Sequence, residues 1–144
     1  MVISREVINT RLKKLEKAVQ ILQQSSNVPY KELIANEVLL SAVERNFQVA
    51  IECILDIGNH IIAEQGFESP DDSSDIIRIL GDEGITPRDF TAKVKGIAGF
   101  RNILIHEYTR IDYKLLYSYL TESLDDFREF AKHFSVYLNK EESR

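Results

Sequence analysis

An all-α, up-and-down bundle of four main helices with one extra short helix is the fold this sequence predicts, with residues 1–144 read as a single domain. Two observations carry it. Apolar residues recur at three- and four-residue intervals through four long stretches, the spacing of a helix's buried stripe. The stretches are separated by Gly, Pro, Asn and Asp placed as helix stops and starts, and nowhere does a period-two β-alternation, an internal repeat or a low-complexity run intervene.

In order, Ile3, Val7 (with Ile8), Leu12 (with Leu15), Val19 and Leu22 predict an amphipathic helix over 2–24, ended by the polar run 23–27 and Pro29. A second helical region runs from about Tyr30 to Gln65, with a break near Ala35-Asn36, where Asn36 can cap a new start. Its core series is Leu39, Val43, Phe47, Ile51 (with Ala50), Ile54, Ile57 and Ile61, and Gly66 reads as its C-cap. Residues 67–74 read as a loop. Asp75–Leu80 read as a short helical turn closed by Gly81 and Gly84. Thr86-Pro87, a cap residue followed by Pro at the first helical position, opens a helix expected to reach His106 or Tyr108. Asp112 then caps one last helix, with Leu115 (and Leu116), Tyr119 (and Leu120), Leu124, Phe127, Phe130 (and Ala131), Phe134 and Leu138 as its stripe.

Composition narrows the class. With 44% hydrophobic and 28% charged residues, the chain is globular rather than disordered. No apolar run approaches the roughly 18 residues that span a bilayer, and Arg5 and Glu6 interrupt any signal-like N-terminus, so a cytoplasmic location is expected. The single cysteine, Cys53, precludes an internal disulfide and sits among apolar neighbours as a buried small hydrophobe. A net charge of −5 argues against a whole-surface nucleic-acid binder. The charge is uneven, however. Residues 64–84 hold seven acids against Arg78, whereas residues 86–114 hold Arg88, Lys93, Lys95, Arg101, Arg110 and Lys114 against three acids.

That basic segment contains the chemistry. Phe90, Val94, Ile97, Arg101, Leu104 and Tyr108 fall on one helical stripe, with a guanidinium in its middle. An arginine on an apolar seam is costly unless it is paired or faces a polar cleft. The structural explanation is an ion pair with Glu44 or Asp56; the functional one is a cleft, with Glu52, Asp56 and His60 of the second region as candidate border residues sharing one face at i,i+4. His106 lies five residues after Arg101, about 140° away around an ideal helix. The two reach one cleft only if the helix end is distorted or the cleft is wide, as at a two-fold axis between copies. Gly96 and Gly99 would let another helix approach closely there, or serve packing within the chain. No phosphate-binding Gly loop, nucleophile elbow or Cys/His zinc spacing is present. A carboxylate-bridged di-metal bundle is excluded because Ile57, Ile103 and Phe130 stand where Glu-x-x-His would need glutamate. Arginine and histidine suffice, without a metal or other cofactor, for transesterification of RNA. Imidazole serves as acid or base near neutrality, and the guanidinium fork matches phosphate oxygens. His133 reads as boundary structure on the last helix.

The stretch Arg101-Asn102-Ile103-Leu104-Ile105-His106-Glu107-Tyr108 resembles the signature of the HEPN superfamily, an Arg, four to six residues, then His. With Asn directly after the Arg and Tyr two after the His, it is similar to the HepT branch. The run from Val43 to Glu52, continuing to Asp56-Ile57-Gly58-Asn59-His60, is similar to that branch's long second helix, and Ile79–Ile85 to its connecting loop; about two thirds of the chain fits. The resemblance implies a HEPN-like bundle and the toxin half of a type VII-like toxin–antitoxin pair. It implies a metal-independent ribonuclease, with tRNA the expected substrate, working as a homodimer. In that scheme Arg101 stabilises the phosphate, His106 is general acid/base and Asn102 positions. The implied partner is a minimal nucleotidyltransferase (MNT) antitoxin that adds AMP to the hydroxyl of Tyr108, a residue whose spacing alone suggests an ordinary core tyrosine. The alternative within the same resemblance is a catalytically silent module that binds RNA or nucleotide and regulates its nucleotidyltransferase.

Overall fold

The computed structural model describes residues 5–106 and 110–143. Among them the chain forms helices α1 (Arg5–Ser25), α2 (Tyr30–Ala35), α3 (Glu37–Gln65), α4 (Ser73–Asp82), α5 (Arg88–Val94), α6 (Ile97–Ile105), α7 (Tyr113–Glu122) and α8 (Leu124–Glu142). The four columns of the bundle are α1, α3, the pair α5–α6 and the pair α7–α8, so the all-α bundle stands as expected. The 29-residue α3 is its axis: α1, α4, α6 and α8 all pack on it. No described helix is long and apolar enough to cross a membrane.

Local chemistry sets the ends. Asn36 accepts a hydrogen bond from the Leu39 amide at 3.0 Å, satisfying one of the open donors of α3's first turn, and thereby separates α2 from α3. At the other end Gly66 adopts φ 70°, the left-handed conformation that costs a side-chain-bearing residue most. The expected stripes are buried: Val43, Phe47, Ile51, Ile54, Ile57 and Ile61 on α3, Phe90, Val94 and Ile97 on the motif column, Phe127, Phe130 and Phe134 on α8. On α7, Leu115 is exposed and Leu116 takes the core position. Cys53 is buried, and that burial pushes its thiol pKa up. His133 is half-buried against Phe90 and Glu129.

Four local expectations need correction. The loop after Gly66 is shorter than 67–74, because Asp72 caps the Asp75 amide (2.9 Å) and starts α4 at Ser73. Gly81 does not close that helix but lies within it, buried, where a β-carbon would stand 2.6 Å from Thr91. Thr86 is no side-chain cap: its hydroxyl bonds that of Thr91 (2.7 Å), and Pro87 itself is the N-cap of α5. Finally, neither late column is one helix. The motif column kinks at Lys95-Gly96, where both residues remain right-handed, and the last column breaks at Ser123. That second break gives α8 a fresh N-terminus for Asp125 and Asp126, favourable against the helix dipole, and lets buried Asp126 reach Lys93 of α5 at 3.0 Å.

Of the two glycines in the motif column, Gly96 faces the Tyr119 hydroxyl at ordinary contact distance, while among the described residues nothing approaches the β-position of Gly99 within 4 Å. Close packing against the described residues therefore does not account for Gly99. Opposite outcomes are expected for two alanine substitutions. Gly81→Ala forces a methyl into the stiff Thr91 side chain and should cost about 1–3 kcal/mol. Gly99→Ala, in open space on a helix, should add about 1 kcal/mol. Urea midpoints of the two variants against the parent measure both.

Candidate active site

Arg101 owes its position to its neighbour. Phe100 is buried, packs edge-on against Phe47 of α3 (centroids 5.5 Å apart) and stacks on Tyr119 of α7 at 4.3 Å. With Phe100 fixed in the core, the next residue emerges at the seam between α6 and α3, half-buried. There the guanidinium meets Glu52, Nη2 to Oε1 at 3.8 Å, and its Nη1 donates to Asn102 Oδ1 at 3.3 Å. Glu52 is in turn held by Gln48, one turn earlier on α3, whose Nε2 donates to Oε1 at 3.2 Å. Two turns before Glu52, partial burial raises the Glu44 carboxyl above its ordinary range.

The carboxylate beside Arg101 is thus Glu52, not Glu44 or Asp56. Successive i,i+4 residues of α3 step about 6 Å along its axis, so only one of them stands level with Arg101. Asp56 is drawn to Arg11 of α1 (3.6 Å), and His60, a further turn on, pairs with Glu64 at 3.0 Å. Neither is joined to Arg101. The sequence marks Glu52 only as a border residue and gives Gln48 no role; their i,i+4 spacing is the available sign of the Gln48–Glu52 bond.

The Arg101 pair is loose. At 3.8 Å the Glu52 contact is electrostatic rather than a hydrogen bond. Among the described residues the buried Nε has no hydrogen-bond partner. A buried donor left open is costly, so a guanidinium arranged in this way retains capacity for an incoming oxyanion.

The helix ends one residue before the histidine. Ile105 closes α6 and His106, at φ −95° and ψ 109°, has left the helical conformation, exposed to solvent. The 140° separation of an ideal helix therefore does not apply to the His106 ring. Tyr108 lies outside the described residues, as do Glu107 and Thr109. Among the described residues, no three His, Cys, Asp or Glu side chains are grouped so as to hold a metal ion.

Residues 8–134 match the family described as Ribonuclease HepT-like. The mRNA nuclease HepT of Shewanella oneidensis is 24% identical over 127 residues, covering 87% of this chain and 93% of its own. The tRNA nuclease HepT of Aphanizomenon flos-aquae is 21% identical over 132 residues, covering 92% and 90%. The fold of a tri-AMPylated Shewanella oneidensis HEPN toxin, solved in complex with an MNT antitoxin, superposes with a TM-score of 0.83 at 22% identity, over 92% of this chain and 98% of that one. A match spanning nearly the whole bundle, from α1 into α8 and through the Arg101 motif, settles kinship: this chain belongs to the HepT-like ribonuclease family.

Proposed function

We propose that this chain, acting as one domain, is a cytoplasmic HepT-like toxin that cleaves RNA, tRNA being the expected target, through Arg101, Asn102 and His106. The observation that carries the reading is Arg101: a half-buried guanidinium whose buried Nε has no hydrogen-bond partner among the described residues and whose counter-charge, Glu52, stands off at 3.8 Å. A purely structural arginine on an apolar seam would be expected to close its hydrogen bonds; this one is prepared for a phosphate.

In the proposed reaction His106 accepts the proton of a 2′-hydroxyl as its oxygen attacks the adjacent phosphorus. The new O2′–P bond forms as the P–O5′ bond breaks, and a second acid protonates the departing O5′. Arg101 stabilises the negative charge gathering on the phosphorane oxygens. Asn102, whose amide oxygen is engaged by Arg101 (3.3 Å), holds the guanidinium plane and keeps its own NH2 for substrate. A homodimer with the two sites facing one cleft would supply the second acid from the other copy's imidazole. The position of His106 beyond the end of α6 supports such reach, since an extended residue is not bound to the helix's angular spacing.

Induction of wild type, His106→Ala and Arg101→Ala at equal soluble levels is the direct test. Growth should arrest only with wild type, and equal growth of all three would remove the enzyme reading in favour of a silent binding module. Cleavage products should carry 2′,3′-cyclic phosphate ends and form in excess EDTA; strict dependence on Mg2+ would refute the histidine scheme. Light scattering of the active fraction should give a dimer, and a fully active monomer would exclude a shared cleft.

The antitoxin reading concerns Tyr108. A phosphodiester on its hydroxyl would set negative charge and bulk two residues from His106, in the segment that follows Arg101, competing with RNA for the guanidinium. After co-expression with the cognate nucleotidyltransferase, intact mass should show AMP additions on wild type and none on Tyr108→Phe, which should stay toxic. Silencing of that variant would point to steric inhibition instead.

A further inference from the structure

One face of the motif column is exposed from end to end. Arg88, Ala92, Lys95, Gly99 and Asn102 follow one another at spacings of four, three, four and three residues, every one of them exposed, and exposed His106 follows just beyond the end of α6. Because Lys95 and Gly96 keep a right-handed helical backbone through the kink, the stripe holds its phase from α5 into α6. The two residues between its cations and its polar end, Ala92 and Gly99, are small, so the face is low between Arg88, Lys95 and Asn102. Beside it opens a cleft of about 840 Å³ between α4 and α5, lined on one side by Arg88, Thr91, Lys95 and Gly96. Its other wall carries Arg78, whose charge is taken up by Asp75, Asp82 and Glu68.

From this continuity we infer that the exposed stripe of α5–α6 is a track for the substrate strand, with Arg88 and Lys95 as two phosphate subsites beyond the Arg101 site. The inference rests on the ribonuclease reading for the direction of the strand, from His106 back toward Arg88. Neither Arg88 nor Lys95 is in an ion pair among the described residues, whereas Lys93, on the opposite side of the same helix, is held by Asp126. The two cations stand two turns apart, about 10 Å, so each can hold its own phosphate. Arg88 lies about 21 Å from Asn102 along the column, long enough for several nucleotides of an extended single strand. The acidic wall formed by Asp75 and Asp82 repels the strand from α4 and confines it to the α5 side. A second copy facing the His106 end leaves the Arg88–Lys95 end to the strand: the large exposed hydrophobics are Val38, Leu115 and Val136, none of them on α5, so that end offers another protein no apolar anchor. The chain's net charge of −5 gives RNA no general attraction to the surface, which makes local phosphate contacts the means of holding a strand.

Fluorescence anisotropy with a labelled single-stranded RNA of about a dozen nucleotides tests the track. His106→Ala serves as the non-cleaving parent, and Arg88→Gln with Lys95→Gln is added to it. The double substitution should raise Kd about 10-fold at low salt. It should also flatten the slope of log K against log salt by about 1.4, that is about 0.7 per lost phosphate contact on a single strand. Lys13→Gln with Lys17→Gln, on the exposed side of α1, removes the same charge elsewhere and should leave both quantities near the parent's. An unchanged Kd in the Arg88/Lys95 variant overturns the track, as does an equal loss in the α1 control. A changed molecular mass of the Arg88/Lys95 variant in light scattering does so too, by assigning the face to a second copy. Absence of cleavage by the wild-type chain, with the Kd change present, would instead sink the ribonuclease reading and leave the RNA-binding track standing.

Discussion

The contact of Phe47 with Phe100 is the constraint on which the site depends. Phe47 is fully buried at the middle of α3 and touches rings from three other helices: Phe100 of α6, Tyr119 of α7 and Phe127 of α8. Each such aromatic pair contributes about 0.5–1.5 kcal/mol beyond the area it buries, but its larger effect here is geometric. α6 is only nine residues long and is preceded by a kink. Without a deep anchor, so short a helix could rotate or slide, and the residue after Phe100 would lose its place opposite Glu52. The position of Arg101 is therefore set by a hydrocarbon contact one residue away.

Electrostatics at that seam are balanced without being saturated. A half-buried guanidinium needs a counter-charge, and Glu52 supplies one while Gln48 steadies the carboxylate. A tighter, bidentate pair would lock Arg101 and require any phosphate to displace a carboxylate at full cost. The 3.8 Å separation retains most of the Coulombic attraction and little of the directional bond. The opposite arrangement is found at Arg78, ringed by Glu68, Asp75 and Asp82 on the acidic stretch, where the charge is fully spent within the protein.

Much of this was legible in the sequence, for identifiable reasons. Asn36 and Gly66 announced their caps because side-chain chemistry and the left-handed backbone leave few alternatives there. The kink at Lys95-Gly96 was not legible: both residues stay right-handed, so the apolar period runs from Phe90 through Val94 and Ile97 without a slip, and periodicity alone cannot see a bend that preserves phase. Ser123 escaped for the same reason, with Leu120, Leu124 and Phe127 continuing across it. In the candidate site, the motif names Arg101 and His106, but the carboxylate beside Arg101 was not legible. Glu44, Glu52 and Asp56 occupy related positions on α3, and only the tertiary packing of α6 and α1 decides that Glu52 turns to Arg101 and Asp56 to Arg11.

The sealed Cys53 has a consequence for how copies of this chain can associate. It is the molecule's one thiol, it is enclosed in the core of α3, and its pKa is pushed up, away from the reactive thiolate. No oxidant can staple two folded copies together through it, so a disulfide switch of association is closed at this thiol. Where copies associate, concentration rather than this thiol sets the balance, so that dilute, newly made chains and concentrated ones differ in state with Cys53 unchanged.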